Sequence, residues 1–197
     1  MIATIQSSLI ASAEVIKRLA DSTEVVNALD AAAKACIAAY RAGNKLLLAG
    51  NGGSAADCQH IAGELVARFN FDRPGLPAIA LTVDTSVLTA IGNDYGYERI
   101  FARQVEAMGM PGDALIAYST SGKSPNILAA IAAARLRKMI VIGLTGQSTS
   151  SMSQELCDHV ICTPSTQTPQ IQEGHLIVGH VLCQLIESEL FPAHLKA

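Results

Sequence analysis

A chain of 197 residues, half of them apolar, is long enough for one sizeable core and too short for several. Its 14 Lys and Arg stand against 17 Asp and Glu, with no basic tract and only 4% aromatics, which excludes the electrostatic footprint of a nucleic-acid binder. Five cysteines without CxxC spacing exclude a secreted disulfide framework, and no segment is apolar for long enough to cross a bilayer. The reading is a cytoplasmic protein with reduced core thiols, acting on a small molecule and contacting neither nucleic acid nor membrane.

The first 43 residues read as helix, with apolar positions recurring at Ile2, Ile5, Leu9, Val15, Ile16 and Leu19, then from Val25 to Ile37. Asp21-Ser22-Thr23 marks a break with an N-cap, and Gly43 a stop. An apolar stripe on a terminal arm needs a partner, and a helical bundle between subunits supplies one, so residues 1–43 are set apart from a domain at 44–197. From Lys45 the pattern changes. Short apolar runs at 45–49, 77–81, 113–118, 139–144 and 159–162 alternate with helical segments, which predicts a doubly wound α/β fold with a five-stranded parallel sheet. In such sheets ligands bind beyond the carboxyl ends of the strands.

Two of the loops at those ends are unusual. Gly50-Asn51-Gly52-Gly53-Ser54 breaks a buried run and reopens as a helix, so backbone N–H groups and the positive helix end favour an oxyanion. The second, Ser119-Thr120-Ser121-Gly122-Lys123-Ser124, places four hydroxyls around one glycine before Pro125 at the first turn of a helix, a cradle suited to a sugar phosphate without needing a full positive charge. Gly122-Lys123-Ser124 mimics the end of a P-loop, but Ala117 stands where that motif needs glycine; Ala55 likewise replaces the third glycine of a dinucleotide fingerprint. On the helix after the first loop, His60 and Glu64 are four residues apart and share one face, able to act on one atom or one metal.

Gly-Asn-Gly-Gly-Ser paired with Ser-Thr-Ser-Gly-Lys-Ser resembles the sugar isomerase (SIS) domain family. The run from Asn51 through His60 and Glu64, Arg73-Pro74, Gly92-Asn93-Asp94-Tyr95-Gly96 and Ile171-Gln172-Glu173 to His180 is more narrowly similar to the phosphoheptose isomerase family, over nearly the whole chain. The resemblance implies cytoplasmic homotetramers with active sites at subunit interfaces and bound zinc. It implies conversion of sedoheptulose 7-phosphate to D-glycero-D-manno-heptose 7-phosphate, toward lipopolysaccharide heptose. It assigns His60, Glu64, Gln172 and His180 to zinc and catalysis, and Asn51, Gly52, Gly53, Asn93, Asp94, Ser119, Thr120, Ser121 and Ser124 to substrate. Ser54, Arg68, Glu64 and Gln172 complete the expected substrate contacts.

Moving a carbonyl from C2 to C1 needs a base to carry a proton from C1 to C2 through an enediol, and an acid at the carbonyl oxygen. Glu64 is the natural base and His180 the natural acid. Whether zinc is catalytic or structural stays open. Gln172 and His180 are eight residues apart, about 12 Å along an ideal helix, so either Gln172 lies at a frayed helix start or two subunits complete the site. By spacing alone His175 competes equally with His180; the resemblance favours His180. Arg68, one turn past Glu64, either pairs with it, reaches the phosphate, or forms a surface salt bridge. His159 and His194 are read as ordinary core or surface residues, and Cys58 and Cys183 as packing. Pro169 replaces an aspartate found in some relatives, leaving Asp94 or Glu173 as an assisting carboxylate.

The rival function is a non-catalytic SIS tetramer that binds a replication initiator protein. In that class the positions matching Glu64 and His180 hold groups unable to act as acid and base, whereas this chain keeps both. Other SIS activities, such as etherases, isomerases of shorter sugars and ligand sensors, form a third class, and the sensors are disfavoured by the lack of an appended domain.

Overall fold

The computed structural model describes residues 1–147, 152 and 155–192; His194 lies outside them. Helix α1 (Ile2–Asp21) and α2 (Thr23–Arg41) are separated at Ser22, whose extended backbone breaks the helix and whose Oγ accepts the Val25 N–H at 3.3 Å. After α2 the chain turns through Gly43 at φ +81° into the sheet. The strands are β1 (Leu46–Ala49), β2 (Ala78–Ala80), β3 (Ala114–Ser119), β4 (Ile140–Thr145) and β5 (His159–Cys162). All run parallel in the order β2-β1-β3-β4-β5, as the five apolar runs predict.

The central strands are near-continuous apolar runs because both faces are covered. Leu46, Leu48, Ile116 and Tyr118 point into a core shared with α2, α3 (Gly53–Val66) and α7 (Thr168–Leu190). Leu47, Ala49, Leu115 and Ala117 alternate to the opposite core, under α4 (Thr85–Tyr95), α5 (Ala102–Met108) and α6 (Pro125–Leu136). Full burial of each such leucine contributes about 1.5–3 kcal/mol.

The chain leaves β1 toward β2 on one side and returns to β3 on the other. This reversal leaves a crevice at the carboxyl ends of β1 and β3, into which both unusual loops open. On α1, Val15 and Leu19 are buried, while Ile2, Ile5, Leu9 and Ile10 are more than half exposed. All five cysteines are free thiols; four are buried and Cys162 is half-buried. Among the described residues no helix is long and apolar enough to cross a membrane.

Candidate active site

Three helices start at one small cavity. It measures about 240 Å³ and is lined by the α3 start (Asn51, Gly52, Gly53, Ser54), the end of β3 and its hydroxyl loop (Tyr118, Ser119, Thr120, Ser124), and the α7 start (Thr168, Gln172). The N-termini of α3 and α7, with the cap of α6 at Ser124, face it, so unpaired N–H groups and three positive helix ends converge without a full cationic charge. Gly52 sits at φ +57°, ψ −121°, a conformation that suits only glycine. Gly53 is required for another reason: a Cβ there would lie 2.5 Å from the Gln172 amide nitrogen. Gly53→Ala is expected to displace Gln172 and weaken the binding of an oxyanion such as phosphate in this cavity about tenfold, one or two hydrogen bonds' worth, with little change in folding. Calorimetric titration checks it, and unchanged affinity would remove Gln172 from the binding site.

Hydroxyls and amides in the cavity are held by one another and by Asn126 and Tyr97 beside it, and Ser121 lies outside its lining. Ser119 Oγ lies 3.1 Å from Ser124 Oγ, and Ser121 Oγ accepts the Lys123 N–H. Asn51 and the buried Asn126 exchange amide hydrogen bonds of 2.8 and 2.9 Å, and Tyr97 donates its hydroxyl to Asn51 Oδ1 at 3.1 Å. Asn126, Tyr97 and Thr168 were not among the sequence-predicted residues. Asn126 had a local signal, as the first polar side chain after the Ser124-Pro125 helix start. Tyr97 had none, because its partner is 46 residues away.

Farther along α3, six residues past Ser54 or about 9 Å, the helix presents His60 and Glu64 to α7. His60 Nε2 is 2.7 Å from His180 Nε2 and 3.4 Å from Glu64 Oε1, and one donor atom of each of the three lies within 4.8 Å of the others. The Phe69 ring lies 5.6 Å from the His180 ring. Two imidazoles and a carboxylate, partly open to solvent, form a donor set that fits a zinc-like cation with a position left for water or substrate.

The α7 helix is continuous from Thr168, so a frayed start is not what separates Gln172 from His180. Gln172 lies against Gly53, at the small cavity, while His180 lies with His60 and Glu64. His175 does not join the group. It is fully buried, donates its Nε2–H to the Thr145 carbonyl at 3.2 Å and packs edge-on to Tyr118, and burial pushes its pKa down to about 4. The same-face expectation for Arg68 fails because α3 ends at Val66 and Ala67 caps it. Arg68 is exposed and makes no ion pair among the described residues. Asn93 and Asp94 end α4, exposed and hydrogen-bonded to each other at 2.8 Å, outside the cavity. Glu173 is exposed, and Cys58 and Cys183 are buried thiols whose pKa burial raises.

His175 has a measurable consequence. Its folded pKa, about 4, lies below the ordinary 6.5, so between those values the unfolded chain binds more protons and stability falls as pH falls. Urea unfolding is expected to lose up to ~1.4 kcal/mol per pH unit from this group over that window, and His175→Gln to flatten the slope. An identical slope in the variant would assign the loss to other groups.

The SIS domain family model matches residues 11–146. A phosphoheptose isomerase of Burkholderia pseudomallei is 64% identical over 159 residues, covering 81% of this chain and 80% of that protein. The chain belongs to the phosphoheptose isomerase family. A phosphoheptose isomerase of Aneurinibacillus thermoaerophilus is 51% identical over 187 residues, covering 95% of this chain and 94% of its own. Among solved structures, a phosphoheptose isomerase from Francisella tularensis superposes with a TM-score of 0.90 at 38% identity, covering 95% of this chain and 98% of that one. That of Neisseria gonorrhoeae gives 0.82 at 37%, over 95% and 97%. These long matches extend the family likeness from the two loops through α7, which carries Gln172 and His180.

Proposed function

We propose that this chain is an aldose-ketose isomerase converting sedoheptulose 7-phosphate to D-glycero-D-manno-heptose 7-phosphate through an enediol, an early step toward lipopolysaccharide heptose. The observation that carries the reading is the meeting of Glu64 and His180 from two helices, beside a neutral cavity made for an oxyanion. The spacing suits the substrate. From Ser54 to His60 is about 9 Å along α3, and a seven-carbon chain from C1 to its terminal phosphate spans about 10 Å at roughly 1.2 Å of reach per single bond. With the phosphate against Gly52, Gly53, Ser54, Ser119, Thr120, Ser121 and Ser124, C1 and C2 fall at the Glu64 end.

Glu64 then takes the proton from C1 as base and returns it to C2, while His180 gives its proton to the carbonyl oxygen at C2 and regains one from the O1 hydroxyl as the aldehyde forms. No electrons are gained or lost overall. His60, Glu64 and His180 would hold zinc, which when bound supplies Lewis-acid polarisation of an oxygen and a fixed separation of α3 from α7. Gln172 is assigned first to the substrate, with metal ligation as a second role. A cytoplasmic homotetramer fits the reading: the exposed apolar half of α1 suits a subunit interface, α2 of the 1–43 segment being packed in the core, and the exposed Asn93 and Asp94 suit contact with a neighbouring copy's substrate. The initiator-binding alternative draws no support, since that class dispenses with the acid-base pair retained here.

Purified protein supplied with zinc, incubated with sedoheptulose 7-phosphate and followed by NMR, tests the proposal. Aldose should accumulate to equilibrium. An intact, zinc-supplied oligomer that leaves the ketose unchanged would falsify the isomerase reading.

A further inference from the structure

Arg73 and Glu187 form a fully buried ion pair, Nε to Oε1 at 3.1 Å, that no step above uses. Its hydrogen bonds converge on one segment. Arg73 Nη2 donates to the Glu64 carbonyl at 2.9 Å, an acceptor that the end of α3 leaves without a helical partner, and Nη1 donates to the Leu65 carbonyl at 2.6 Å, which also accepts the Leu76 N–H at 3.0 Å. Glu187 accepts the N–H of Phe69 at 2.9 Å on Oε1 and that of Asn70 at 2.7 Å on Oε2. Glu187 lies seven residues after His180 on the same face of α7, and the Phe69 ring it anchors packs 5.6 Å from the His180 ring.

We infer that Arg73 and Glu187 are positioning residues for the acid-base pair. Through them the backbone of Glu64 and the ring beside His180 are held in one frame, which fixes how α3 faces α7. The inference rests on the isomerase reading of Glu64 and His180. A buried charge pair suits this task because it is directional: sliding either helix breaks hydrogen bonds to buried groups, where an apolar contact would yield.

Glu187→Gln tests it, since the amide keeps the shape but turns an N–H donor toward a backbone N–H. Arg73→Lys, which keeps the charge but loses the fork to the Glu64 and Leu65 carbonyls, is the second variant, should the first fold poorly. Both are compared with wild type well below their melting temperatures by steady-state kinetics with sedoheptulose 7-phosphate and by NMR of ¹³C-labelled histidine rings. The expected result is kcat lower by about 10- to 100-fold with KM within about twofold, and displaced His180 ring signals with His175 signals unmoved. A lower melting temperature with unchanged kcat and His180 signals overturns the inference and leaves the pair a purely structural one. If wild type itself does not turn over, the isomerase reading falls, and the His180 signals alone decide the clamp: displacement upholds it, constancy overturns it.

Discussion

Glu64→Gln should lower the turnover of sedoheptulose 7-phosphate by about three orders of magnitude, within the range by which a positioned proton carrier accelerates reaction. The amide matches the carboxylate in shape but cannot accept a proton from C1. The side chain is a quarter exposed and among the described residues its one close ionic contact is His60 at 3.4 Å, so the fold does not depend on its charge. The backbone carbonyl of the same residue, which Arg73 holds, is untouched by the substitution. Calorimetry should therefore still detect substrate binding by the inert variant. Metal content measured on the same sample separates loss of the base from loss of an ion. Turnover within tenfold of wild type would remove Glu64 from the proton path.

Arg73→Met should cost about 3–5 kcal/mol of stability, because it strands the Glu187 carboxylate in the core and takes the Arg73 donor from the Glu64 carbonyl, while the Leu65 carbonyl keeps the Leu76 N–H. In a chain of this size that lowers the melting temperature by roughly 10 °C or more. Combining it with Glu187→Met should recover part of the loss, since the stranded charge is gone, and the double-mutant cycle isolates the coupling. A melting temperature within 2–3 °C of wild type in the single variant would show that the pair is solvated in solution, contrary to its burial.

The sheet was legible because its strands are buried on both faces. Runs such as Leu46-Leu47-Leu48-Ala49 and Ile140 to Leu144 stand out against helical periodicity, and each of the five expected runs forms a strand. The small cavity was legible for a related reason: it is built from helix starts, and Gly52, Gly53 and Ser124-Pro125 act within a few residues of where they stand. His60 and Glu64 lie one turn apart on α3, so their shared face follows from spacing.

The rest depended on distance across the chain. His175 and His180 are equal by spacing, and only the packing of α7 decides between them, sending His175 to the Thr145 carbonyl and His180 to a histidine 120 residues earlier. Arg68 was misjudged because the helix carrying Glu64 ends two residues before it. Arg73 and Glu187 look like ordinary charges 114 residues apart until burial makes each the other's partner. Local chemistry, set by neighbours within a turn, was thus determined by the amino-acid sequence itself: the strands, the glycine and hydroxyl loops, and the His60–Glu64 half of the three-residue cluster. Which helix faces met, and with them the identity of the second histidine and of the pair that holds the two helices in register, was decided by the tertiary structure. Those choices depend on burial and on contacts between residues more than a hundred positions apart, which no local spacing encodes.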